Sequence, residues 1–352
     1  MIFYMALTLG LNFPKSILYF LLFLLGVLLL YKKNEDNLFI ILIKVWKIIS
    51  FFLATTIIIQ YYFPDIFYKL ARGYYFYSNQ YEMVYNLGVI SKKYSGAFYE
   101  VSFSAFVLSI GVACFFSSLI NKNKKILNII MIIYLYYAVV LTDKRSFILS
   151  IPIIIIILST ICIDKKNNYK IIFIGMIVGV VLIFSLNNIE KIVGFILSDG
   201  SNSAIQLSSR QKYWYIIESM IKKNPIIGCG LNSFDYYFNL SGIKSFYLEF
   251  AGAHNSYFQI IGEMGILGAV LYFSGIISIL FRAIKCIKIC KLKGDKVKSY
   301  LVITATFTII LCIFYAMTGN VFYQPQELIT FFVFSNIIIN EHIYLSKVFV
   351  KE

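Results

Sequence analysis

Residues 126–163 read ILNIIMIIYLYYAVVLTDKRSFILSIPIIIIILSTICI, two apolar runs joined only by Thr142, Asp143, Lys144 and Arg145. In a bilayer such runs are natural helices, because about 20 apolar residues cross the hydrocarbon and a helix satisfies its own backbone groups. The short link then predicts an antiparallel hairpin of spans at 126–141 and 146–163. The pattern recurs at 16–31, 38–63, 96–120, 171–186, 255–281, 300–318 and 328–345, with a shorter run at 2–12. Hydrophobic residues make up 60% of the chain and charged residues 14%, which excludes a soluble globular protein. The expected fold is an all-α polytopic membrane protein with about ten transmembrane helices. Residues 1–186 hold the N-terminal helices, 187–253 one long periplasmic loop with an amphipathic helix, and 254–352 the C-terminal helices, all in one integral membrane domain.

The net charge of +15 is explained by where the cations fall. The segments 32–37, 121–125, 164–170, 282–298 and 346–352 hold 17 Lys or Arg in 42 residues, and the alternate segments 64–95, 142–145, 187–253 and 319–327 hold 12 in 112. Positive charge marks the cytoplasmic side, so the long loop is expected outside. No nucleic-acid partner is needed to account for the charge. No internal repeat of the kind that marks many transporters is visible. The N-terminus lacks the basic start and small-residue cleavage site of a signal peptide.

The long loop carries the chemistry. Ser208 with Gln211 three residues on is a capping-box pattern. Tyr213, Trp214, Ile217, Met220 and Ile221 recur at helical spacing, and Asn224-Pro225 stops the run. This predicts an amphipathic helix over 209–223 with Arg210 in its first turn. There a guanidinium and free amides would meet an anion together, although an interfacial Arg snorkelling to headgroups reads equally from the sequence. Arg145, in the short outer turn, has the same two readings. The Tyr-rich segment 64–95 is read as an aromatic belt at the interface.

His254 stands where the chain returns to the membrane, in AGAHNSYFQIIGEMGILG. A histidine at such a mouth suits a general base, and a structural histidine is the competing reading. Asn255, Ser256 and Tyr257 offer hydrogen bonds beside it. Glu263 lies about 900° of helical turn further on, on the face opposite His254, so it does not orient it directly. As a carboxylate within a span it is functional or paired, with no partner evident. Gly262, Gly265 and Gly268 would let another helix pack closely.

Other chemistries fail. Gly228-Cys229-Gly230 lacks the strand–turn–helix context of a nucleotide loop. No His, Cys or carboxylate set has metal-ligand spacing, so neither metal nor cofactor is expected, and no GxSxG elbow is present. Cys286 and Cys290, four apart, have no second ligand pair.

The set of an Arg in a short outer turn (Arg145), R-x3-W (Arg210, Trp214), P-x2-G-x-G-x3-F (Pro225, Gly228, Gly230, Phe234), HN-x-Y (His254, Asn255, Tyr257) and E-x-G-x2-G (Glu263, Gly265, Gly268) resembles the O-antigen ligase and polymerase superfamily. The resemblance covers about 140–270. It implies a metal-independent membrane glycosyltransferase of GT-C-like architecture in the bacterial inner membrane, active on the periplasmic side. Donor and acceptor would be undecaprenyl-pyrophosphate-linked glycans. A chain-length regulator and a flippase are the candidate partners besides the bilayer. Carried over by motif, Arg210 and Arg145 would hold the pyrophosphate and His254 would activate the acceptor hydroxyl, with Asn255, Tyr257, Glu263 and Trp214 in support. The expected activity is polymerisation of O-antigen repeat units. A ligase moving polymer to lipid A core, and a flippase for the same lipid-linked sugars, are the alternatives.

Overall fold

The computed structural model describes residues 36–74, 78–98, 100–121, 125–162, 203–241 and 252–349. These form eleven helices and, among the described residues, no strand. In chain order they are α1 (Asp36–Tyr62), α2 (Pro64–Tyr74), α3 (Ser78–Val89), α4 (Val101–Ile120), α5 (Lys125–Leu141), α6 (Arg145–Cys162), α7 (Ser203–Lys223), α8 (Phe234–Leu240), α9 (Ser256–Lys293), α10 (Lys296–Ala316) and α11 (Pro325–Phe349).

Helices α1, α4, α6, α9, α10 and α11 are long and apolar enough to cross a membrane, and α5 is a shorter apolar helix. This is a multi-pass membrane protein. The expected spans at 2–12, 16–31 and 171–186 lie outside the described residues, as do 187–202 and 242–251 of the long loop.

The structure corrects the sequence reading at several places. The segment 64–95 is mostly helical, as α2 and α3. Phe67, Tyr68, Ala71 and Val84 bury a small core between them, so some of its aromatics pack inward. The helix expected over 209–223 starts at Ser203, so the Ser208–Gln211 pattern lies inside it and not at its start. Arg145 is the first residue of α6, beyond the turn proper. The helix expected at 255–281 continues to Lys293 and takes in much of the basic segment behind it.

The chain divides into two compact units. One comprises residues 30–164, 280–311 and 333–352. It is organised around α4, which is buried along most of its length against α1, α5 and α6. Small residues permit the close packing: a Cβ on Gly111 would collide with the Ser50 side chain of α1. Buried hydroxyls are satisfied within the bundle. Ser109 Oγ donates to Ala105 O, and Ser117 shares a hydrogen bond with Thr304 of α10. Ile41, Val45, Ile48 and Phe52 make an exposed apolar stripe along α1 at helical spacing, the surface expected to meet lipid. Lys47, beside that stripe, is turned inward to Ser118 at 2.6 Å and over the Phe115 ring.

The other unit comprises residues 1–29, 165–279 and 312–332. It contains α7, α8, the first part of α9 and the turn between α10 and α11.

Candidate active site

Helix α7 lies on its neighbours through one apolar face. Ile216, Ile217 and Met220 are buried with Phe234, Phe238 and Ala253, and Tyr213, Cys229 and Tyr237 pack at the edge. Ile217 also reaches within 3.1 Å of where a Cβ on Gly262 would stand, so Gly262 does give α7 its close approach to α9. The exposed Trp214 ring meets Phe258 edge-on at 5.8 Å.

After Asn224-Pro225 the chain turns back along α9 and pairs with it, backbone to backbone. The N–H of Cys229 donates to Gly262 O at 3.1 Å and that of Gly230 to Glu263 O at 2.8 Å. In return, Ile266 N–H donates to Pro225 O at 2.9 Å and Leu267 N–H to Ile226 O at 3.1 Å. Such pairing requires α9 to open. Gly265 does this at φ 65°, ψ −175°, a non-helical residue between two helical halves. Only glycine reaches this region at low cost. The sequence had suggested that Gly265 admits another helix; it admits the 226–228 backbone instead.

Glu263, buried beside this break, receives four donors. Gln259 Nε2 (3.0 Å) and Phe234 N–H (3.2 Å) reach Oε1, and Asn232 N–H (2.8 Å) and Tyr323 Oη (2.9 Å) reach Oε2. The partner missing from the sequence reading is thus a whole constellation. It fixes the turn at 230–234, where Asn232 has a φ of 62°, and the start of α8.

His254 precedes α9. Asn255 is the helix cap, its Oδ1 accepting the N–H groups of Tyr257 (3.0 Å) and Phe258 (3.1 Å). Tyr257 Oη donates to Ile313 O and Ser256 Oγ to Gly319 O, which ties the cap to the end of α10 and the turn after it. His254 itself is exposed, with a left-handed φ of 53° and its N–H donated to Asn320 Oδ1 at 3.0 Å. Its imidazole lies against the Tyr213 ring at 5.9 Å, and that ring in turn meets Phe238 at 5.6 Å. Glu263 does not touch His254, as expected. The two are linked through Gln259, which accepts the Ala253 N–H at 3.3 Å while donating to Glu263.

Arg210 lies seven residues inside α7, well past its N-terminus, so the first-turn amides expected beside it are not there. Its side chain lies outside the described residues. Arg145 belongs to the other unit, where it is exposed at the first position of α6, directly after Lys144, whose carbonyl accepts the first helical N–H groups. The helix N-terminus expected at Arg210 thus occurs at Arg145. Among the described residues no group of three or more His, Cys, Asp or Glu is placed to hold a metal ion. Gln259, Asn320 and Tyr323 were not identified from the sequence. The signal available was that 319–327 is a polar segment with no Lys or Arg, which served only to assign a side of the membrane.

A helical membrane protein in which the 225–230 turn is zipped onto a broken helix is the class these observations define. Residues 129–273 match the family model described as O-antigen ligase. The match spans Arg145, Arg210, the Pro225–Gly230 turn, His254 and Glu263, and it supports the O-antigen ligase/polymerase superfamily that the motifs resemble. No curated protein matches the chain.

Proposed function

We propose that the protein is a glycosyltransferase of GT-C-like architecture that polymerises undecaprenyl-pyrophosphate-linked oligosaccharides at the periplasmic face of the inner membrane. His254 takes the proton of the acceptor hydroxyl as its oxygen attacks the anomeric carbon of the donor chain. The bond from that carbon to the pyrophosphate oxygen breaks, and the negative charge leaves on the polyprenyl pyrophosphate. Arg210 neutralises it, without a metal ion. Such a leaving group asks for charge stabilisation and positioning more than covalent chemistry. The observation that carries the reading is an exposed His254, its N–H held by Asn320 and directly before the Asn255 cap of α9, within a region that matches the O-antigen ligase family model. Loop charge supports the outward orientation.

A ligase transferring finished polymer to lipid A core shares the donor and the machinery, and the family match is equally consistent with it. A deletion strain separates the two. Loss of a polymerase leaves single repeat units on the surface, and loss of a ligase leaves bare core. Cells carrying Arg210→Ala or His254→Ala are expected to lose long-chain polysaccharide; normal chains in both would refute the site.

A further inference from the structure

We propose that Asn320 is the positioning residue for His254, so that the turn after α10, well beyond the matched region, is part of the site. This rests on the reading of His254 as the base. A left-handed backbone at a non-glycine residue persists only where its surroundings over-determine it, and here they do. The His254 N–H is held by Asn320 Oδ1 at 3.0 Å, the residue before it is held by Gln259, and the residue after it is the cap of α9.

The Asn320 amide also fills the space beside Gly252, where a Cβ would collide with it. The turn bearing Asn320 is fixed in its own right. Gly319 O accepts Ser256 Oγ at 2.9 Å. Asn320 O accepts the N–H groups of Tyr323 (2.8 Å) and Gln324 (2.9 Å), and Tyr323 continues to Glu263. One turn therefore grips both the backbone that aims the imidazole and the carboxylate that holds the 230–234 loop. With the backbone fixed and Tyr213 against one side of the ring, few imidazole positions remain. A displacement of about 1 Å at a reacting group costs on the order of a hundredfold in rate.

The test uses the full-length protein in lipid nanodiscs, with undecaprenyl-pyrophosphate-linked oligosaccharide as the probe and polymer formation followed against donor concentration and pH. Asn320→Ala is expected to lower kcat by about tenfold or more while donor KM stays within about twofold. Asn320→Asp keeps the acceptor and restores most of the turnover. Its negative charge beside His254 favours the imidazolium, so the acidic limb of the pH–rate profile moves to higher pH. A contact that only stabilised the fold would show neither the loss of kcat at unchanged KM in Asn320→Ala nor the rescue by Asn320→Asp. Gly252→Ala should reproduce Asn320→Ala by displacing the amide. Added to Asn320→Ala it should cost nothing more, because the space is then vacant.

Wild-type kcat in Asn320→Ala, no rescue of turnover in Asn320→Asp, or multiplying losses in the double variant each overturn the proposal. If Asn320→Ala is not monodisperse, Asn320→Asp and Gly252→Ala decide. His254→Ala separates the two levels. Full turnover there overturns the base and the positioning role with it, whereas loss there with none in Asn320→Ala overturns the positioning role alone.

Discussion

Gly228 and Gly265 stand back to back, each so close that a Cβ on it would meet the backbone nitrogen of the other. Both have positive φ, 76° and 65°. Two motifs about 40 residues apart are therefore halves of one contact.

Gly228→Ala and Gly265→Ala should each destabilise the protein by about 3 kcal/mol or more, since each combines an unfavourable φ with a backbone collision. Thermal unfolding in detergent measures this. Both variants should also lose polymer formation, and a near-normal midpoint for either would contradict the pairing.

Glu263→Ala removes an acceptor from four donors at once. Each buried donor left unpaired costs about 1–3 kcal/mol, so the variant should be poorly folded. Tyr323→Phe removes one donor and should cost about 1 kcal/mol. The ratio between the two is measurable by the same unfolding experiment.

His254→Ala should reduce turnover by about 10² to 10⁴, the usual contribution of a general base, with little change in thermal midpoint because the side chain is exposed. Arg210→Lys keeps the charge but loses the planar fork that matches a phosphate. It should fall between wild type and Arg210→Ala in an assay of polymer formation.

Burial pushes the Glu100 carboxyl above its ordinary range, with Lys144 pulling the other way. Its proton is thus held more tightly in the folded chain than in the unfolded one. The stability this group contributes is fully present below its unfolded pKa and is lost as pH rises through its raised folded value. Glu100→Gln should therefore gain thermal midpoint relative to wild type as pH rises above about 4, the ordinary glutamate value, and the gain should grow with pH. A constant offset would show that the carboxyl does not titrate differently on folding.

The spans were legible because hydrocarbon permits few solutions. Runs such as 96–120 and 300–318 declare themselves by length and polarity, and the structure places α4 (Val101–Ile120) and α10 (Lys296–Ala316) there. The motif residues were legible too, but not their partners. Nothing in the spacing of Glu263 reveals that its donors come from Asn232, Phe234, Gln259 and Tyr323, because three of the four lie far away in sequence. Asn255 was read as a source of hydrogen bonds, and its exact use as a cap follows from the helix boundary. The start of α7 was misplaced because Ser208 carries a capping signal that a longer helix simply overran.

The break at Gly265 also sets an order of assembly. Residues 225–230 are made before 262–267, and during synthesis at about 5–20 residues per second the turn waits seconds for the backbone that completes it. Until then the amides of Cys229 and Gly230 and the carbonyls of Pro225 and Ile226 lack the partners they have in the finished fold. A ribosome stalled between these segments would leave a nascent chain with its spans begun and this turn unpaired. The point at which chaperones or proteases could recognise an unfinished copy is thus written into the order of the two motifs.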